Sequence, residues 1–224
     1  MLERIVMTGS DFPERYKDEI PRWYKQPKYI EIWVEKKAMR GVFAAIIKDG
    51  DRQVRIAPNG GWSSRSFSEE NRKRLLKKRR REGKDVYVLY YGDYDPSGLR
   101  MVQKLKEELT GIGVHFEHVA ITKEQIRQFH LEHLKNLDLA VKAKLGRDSN
   151  AKYFRYINNG ELFQIEVDAL DALGPDDLKR LLLDNIDEYF DEEIRERVLS
   201  DPKHQSKNIR RLVHRRLAEA KVNG

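Results

Sequence analysis

The sequence contains no cysteine, which excludes disulfides, thiolate zinc centres and thiol nucleophiles. Long apolar runs are also missing. None approaches the roughly 18 residues that a membrane-spanning helix needs. The opening residues, MLERIVMTGSDFPERYKDE, lack a basic start followed by an apolar stretch, so no secretory signal is visible. Acidic residues are outnumbered, 37 Asp and Glu against 44 Lys and Arg, leaving a formal net charge of +7. No repeat at solenoid periods is present. These features describe a soluble, cytoplasmic protein, and the basic balance suits a polyanionic partner such as nucleic acid.

What is present is charge: 36% of the 224 residues are charged, against 39% hydrophobic. That apolar content is enough for one sizeable domain with an appendage. Three regions are expected: an arm at 1–28 punctuated by Pro13, Pro21 and Pro27, an α/β domain at 29–170, and a helical, basic extension at 171–224.

Within the middle region strands and helices alternate. Tyr29–Val34, Val54–Ala57, Val86–Tyr91 and Val114–Ile121 are rich in β-branched and aromatic residues and predict strands. Between them, Ala38–Lys48, the stretch from Ser66 to Gly83 and Leu99–Leu109 show helical periodicity. Ser66 and Glu69 form a capping-box pattern, and Gly83 a C-cap. This order predicts a parallel, doubly wound sheet of about four strands. Beyond Thr122, residues 123–145 are expected to be helical and ELFQIEVDAL (161–170) a further strand. A helix is expected to open at Pro175, and the tail from Asp187 to be helical.

Chemistry concentrates where two strands end. The first runs into Glu35, and the third into GDYDPSG with Asp93 and Asp95. Ligands of parallel sheets bind beyond the carboxyl ends of the strands, so all three acids are expected on one edge, 58 positions apart in sequence (93 − 35). Oxygen ligands of this kind suit Mg²⁺, which keeps open positions for water and phosphate. Pro96 holds Asp95 extended, and Gly98 removes bulk where a phosphate would approach the next helix. A plainer reading stands beside this one: Asp95 as N-cap with Pro96 at the first helical position. A calcium loop is excluded, since its twelfth position, which requires Glu, is Lys104.

VEKKAM and YYGDYDPSG together resemble the Toprim domain, the glutamate plus Asp-x-Asp unit of topoisomerases, bacterial-type primases and some nucleases. The nearest resemblance is to the A subunit of topoisomerase VI and its meiotic double-strand-break relatives, and to phage and bacterial Toprim proteins. NGGWSSRSF (59–67) and IEVDAL (165–170) resemble segments of those proteins too. The resemblance covers roughly residues 25–175 and implies a Rossmann-like fold with Mg²⁺-dependent (or Mn²⁺-dependent) phosphoryl transfer on nucleic acid, DNA first. Asp93 and Asp95 would be metal ligands, and Glu35 a ligand or the general acid/base. The topoisomerase VI relatives carry their nucleophilic tyrosine in a winged-helix domain ahead of this unit. Only 34 residues precede Glu35 here. The expectation is therefore water-driven cleavage, or a partner subunit supplying a DNA-binding or tyrosine nucleophile domain. Tyr16 and Tyr24 are expected to pack, and a homodimer is a further expected assembly. Two other readings stay open, a non-catalytic DNA-binding or assembly subunit and a small-molecule phosphatase of the haloacid dehalogenase type. The phosphatases carry Thr or Val where Ser97 stands.

Basic clusters complete the inventory. RKRLLKKRRR (72–81) has eight Lys or Arg in ten residues, with Lys77, Lys78, Arg79 and Arg80 as candidate phosphate contacts. Arg210, Arg211 and Arg215, with His214 and Arg216, make a second set on an amphipathic pattern. Contacts of this kind are independent of sequence and weaken with salt; a solvated helix face is the plainer reading. Lys36 is expected to pair with a phosphate or a site carboxylate, and Glu166 and Asp168 to join the acids or face solvent. The histidines show no ligand spacing.

Overall fold

A computed structural model describes residues 20–58 and 65–201. The chain divides into two compact units, Pro27–Tyr189 and a second one made from Met1–Gln26 with Phe190–Gly224.

The larger unit is an α/β fold around a four-stranded, all-parallel sheet. Its strands are β1 (Lys28–Val34), β2 (Arg55–Pro58), β3 (Asp85–Tyr91) and β4 (His115–Ala120). Their spatial order is β2-β1-β3-β4, so β1 and β3 are central. Between strands run α1 (Lys37–Asp49), α2 (Arg65–Glu82) and α3 (Pro96–Thr110). Parallel pairing needs such crossovers, and helices then cover both faces. This is why β3 can bury Val88, Leu89, Tyr90 and Tyr91 consecutively.

The two faces of the sheet differ. Trp33, Val88, Tyr90, Leu75 of α2 and Leu105 and Leu109 of α3 form one core cluster. On α1, Met39, Phe43 and Ile47 are buried at every fourth position, and Phe43 meets Tyr91 edge-on at 4.9 Å. A charge is buried within the sheet. Glu31 is 0% exposed, gripped by Arg74 of α2 through two bonds of 2.6 and 2.7 Å. Tyr29 Oη at 2.7 Å and Trp33 Nε1 at 3.1 Å complete its coordination. Burial works against the Glu31 charge, but these donors outweigh it and hold its carboxyl below the ordinary range.

The expected helix 123–145 is three pieces: α4 (Lys123–Gln128), a 3-10 turn (Leu131–Leu134) and α5 (Leu139–Leu145). His130 sits in the left-handed region at φ 54°, ending the first piece. Asn136 and Asp138 turn their side chains onto backbone N–H groups at Asp138 and Ala140, local bonds that compete with a continuing helix. Then follow α6 (Ala151–Ile157) and α7 (Pro175–Asp187). The latter buries Leu178, Leu182 and Ile186. The strand expected over 161–170 is not there. Gln164 and Ile165 make only isolated bridges, and Val167–Leu173 is a 3-10 turn.

In the second unit the described residues include α8 (Glu192–Ser200), capped by Asp191. Ile20 packs with Val198, and Trp23 meets Phe190 edge-on at 5.3 Å. Tyr24 is exposed there, whereas Tyr16 and the Arg210, Arg211, Arg215 cluster lie outside the described residues. No described helix is long and apolar enough to cross a membrane.

Candidate functional site

The carboxyl ends of the central strands are tied together by backbone bonds. Glu35 N–H donates to Tyr91 O at 3.0 Å, and Gly92 N–H to Ala120 O at 2.7 Å. Register pairs Val34 with Tyr91, so Glu35 and Asp93 leave neighbouring strands within one residue of the same level.

Glu35 and Asp93 meet directly. Asp93 N–H donates to Glu35 Oε2 at 2.9 Å, and Tyr90 Oη donates to the same oxygen at 3.0 Å. Both bonds leave Glu35 Oε1 without a hydrogen bond among the described residues. Asp93 Oδ1 accepts from Val167 N–H at 2.7 Å. Burial, then the nearby negative charge of Glu35, pushes the Asp93 carboxyl up to about 7. Two acids share a confined edge, and one of them is reluctant to ionise.

Asp95 is engaged differently. It is 7% exposed, and its Oδ1 accepts from Gly98 N–H at 2.7 Å, with Pro96 opening α3. The plainer reading of the Asp-Pro pair, an N-cap, is what the structure has. Burial raises the Asp95 carboxyl against the opposing backbone donors of Gly98 and Ser97. Gly98 also has a nearer reason than phosphate access. A Cβ there would lie 2.2 Å from the Asp93 carbonyl oxygen, so the turn closes only over glycine. Gly92 is constrained too: a Cβ would sit 2.4 Å from Tyr90 Oη, the hydroxyl that reaches Glu35.

Lys36 pairs with protein carboxylates. Its Nζ donates to Glu166 and, at 2.7 Å, to Asp168. Burial opposes the ammonium charge, but the two carboxylates prevail and raise its pKa. Glu166 and Asp168 thus reach the acid edge from a 3-10 turn and bracket Val167, whose N–H holds Asp93.

Among the described residues, no group of three or more His, Asp or Glu side chains is arranged to hold a metal ion. The donor set on this edge suits a cation held by the Glu35 and Asp93 carboxylates with water and phosphate completing the shell.

The basic helix is remote from the acids. Because α2 returns from the carboxyl edge to the start of β3, its last turns lie at the amino edge. Lys78 Nζ stands 4.9 Å over Tyr29 at the beginning of β1, about 20 Å from the far end of that strand. Lys78 also pairs with Glu82 at 2.9 Å. Lys77, Arg79 and Arg80 are exposed on the same stretch.

Two contributors escaped the sequence reading. Tyr90 reads as one more aromatic in an apolar strand, and its hydroxyl gives no signal there. Val167 contributes only its backbone N–H to Asp93, which no residue type in IEVDAL signals. No protein-family model matches this chain, and no curated protein is detectably similar to it.

Proposed function

We propose that the chain is a Toprim-type protein for Mg²⁺-dependent phosphoryl transfer on nucleic acid, with Glu35 and Asp93 at the reacting edge. The observation that carries this is the hydrogen bond from Asp93 N–H to Glu35 Oε2 across the two central strands. It brings the Glu35 carboxylate against the backbone of Asp93, near enough for its charge to act on the Asp93 carboxyl, at the carboxyl edge of a parallel sheet, where such folds bind ligands.

Crowded carboxylates are relieved by a proton or a cation. Glu35 and Asp93 would hold Mg²⁺ or Mn²⁺, with Asp95 behind them at the helix cap. Bound there, the ion supplies charge neutralisation at a phosphate and acidifies a coordinated water. The chain's own residues do the rest. Tyr90 and the Asp93 N–H orient Glu35, which either joins Asp93 in holding the ion or, in its place as ligand, accepts and returns a proton at the reacting oxygen. Val167 fixes Asp93, and Asp95 holds the first turn of α3. Water-driven cleavage, or chemistry with a partner's tyrosine, both fit this arrangement.

The engagement of Asp95 in capping and of Lys36 in ion pairs favours a second reading, a non-catalytic nucleic-acid-binding or assembly subunit. Nicking of supercoiled plasmid with Mg²⁺ or Mn²⁺ separates the two. Cleavage that is lost in Asp93→Asn and Glu35→Gln supports the first. Salt-sensitive binding without cleavage, indifferent to chelator and to both substitutions, supports the second. Release of phosphate from a chromogenic monoester would instead favour a small-molecule phosphatase.

A further inference from the structure

Helix α6 exposes two aromatics on one face. Tyr153 is 55% and Tyr156 84% exposed, three positions apart and therefore neighbours on the helix surface. Lys152 and Arg155 are exposed beside them, while Ala151 and Phe154 are buried on the other side. Neither tyrosine makes a hydrogen bond or ring contact among the described residues, so folding gains little from their rings. Scattered single exposed apolar residues are ordinary; a tyrosine pair flanked by two cations is a more specific pattern.

The surrounding segment is strongly basic. Residues 139–156 hold five cations, Lys142, Lys144, Arg147, Lys152 and Arg155, against one acid, Asp148. None of the five forms an ion pair among the described residues. The single acid is turned to the scaffold, accepting from Ser97 Oγ at 2.6 Å.

That scaffold is the turn bearing the acids. Asn150 Nδ2 donates to Pro96 O at 3.2 Å, Arg100 to Ser149 at 2.9 Å, and Tyr94 Oη to Asn158 at 3.1 Å. The aromatic and basic face is thus anchored to Tyr94 and the first turns of α3, whereas the last cations of α2 lie at the opposite edge and have no exposed aromatics among them.

We infer that the exposed face of α6, with the cations of α5 and the loop between the two helices, is a binding surface for single-stranded nucleic acid that feeds the acid edge. Unpaired bases offer faces that stack on Tyr153 and Tyr156, and Lys152, Arg155 and the neighbouring cations follow the phosphates. A duplex hides those base faces and can use only the cations. The inference rests on the nucleic-acid reading of the acid edge and adds the kind of strand.

The test is fluorescence anisotropy of a labelled oligothymidylate of about 20 nucleotides, a length spanning one or two single-strand sites, against a duplex of equal length. It is run in chelator, so that binding is read apart from chemistry. Wild type binds the single strand more tightly. Y153A/Y156A weakens that binding by about tenfold or more and leaves the duplex unchanged; Y153F/Y156F restores it. K152A/R155A lowers the salt slope for both. All these side chains are exposed, and circular dichroism checks that the variants fold. Equal affinity for both nucleic acids, no loss in the alanine pair, or tighter binding to phosphatidylserine vesicles than to the strand overturns the inference. Strand binding without nicking of plasmid sinks only the catalytic reading, and nicking without strand binding sinks only this one.

Discussion

Asp93 Oδ1 accepts a 2.7 Å hydrogen bond from the backbone N–H of Val167, 74 residues further along the chain. The donor sits at the start of a 3-10 turn whose flanking carboxylates, Glu166 and Asp168, are held by Lys36. The candidate site is therefore closed by a segment that follows the last strand, and its acids depend on that closure.

The Asp93 carboxyl makes stability depend on pH. Burial, then Glu35, raises it from 3.8 to about 7. Below about pH 4 the folded and unfolded chains both carry the proton. Between about 4 and 7 only the folded chain keeps it, so stability falls as pH rises through this window and levels off above it. Allowing for solvent screening of a half-buried group, the loss is about 1–2 kcal/mol. Urea titrations from pH 4 to 8 should show this decline in wild type and a flatter profile in Asp93→Asn. Mg²⁺ at pH 8 should recover stability in wild type only.

Tyr90→Phe keeps the ring in the core and removes the hydroxyl that orients Glu35. Stability should change by about 1 kcal/mol or less. Metal-dependent nicking should fall by about tenfold, since one positioned hydrogen bond of this kind is worth roughly 1–1.5 kcal/mol. Unchanged turnover would mean that Glu35 does not act at the reacting centre.

Gly98→Ala should be costly although the substitution is small. The new methyl would press on the Asp93 carbonyl at 2.2 Å, and backbone cannot yield as a flexible side chain does. A loss of about 2 kcal/mol or more in denaturant unfolding is expected. Gly41→Ala, in α1 with open space around it, is the control and should be neutral or stabilising.

Arg74→Leu leaves Glu31 buried without its main counter-charge. Breaking such a pair costs about 3–5 kcal/mol, and replacing both members recovers much of it. Chemical unfolding of Arg74→Leu, Glu31→Leu and the double variant should show that recovery. A purely additive double variant would mean that the pair is not coupled.

The four strands and the three helices between them were legible because each carries its own signal. Runs such as DVYVLYY can be buried on both sides only in a covered parallel sheet, and Gly83, at φ 66°, ends α2 as its position suggests. The region from 129 to 173 was not legible. Its helices are short, its turns depend on Asn136, Asp138 and His130, and the stretch expected as a strand gives its Val167 N–H to a carboxylate far away in sequence.

Residue type and spacing alone determined the parallel α/β fold and the placing of Glu35 and Asp93 at the ends of adjacent strands. Alternation and punctuation act over a few residues, and crossover handedness does the rest. Only the folded chain decided what each charge does. Asp95 caps a helix, Lys36 is claimed by Glu166 and Asp168, and the last cations of RKRLLKKRRR, Lys78 among them, stand at the edge opposite the acids. The Asp95 cap spans three positions and is the one role that a local pattern offered; Lys36 is tied to groups 130 and 132 positions away, and Glu31 to Arg74 across 43. No local pattern records such distances.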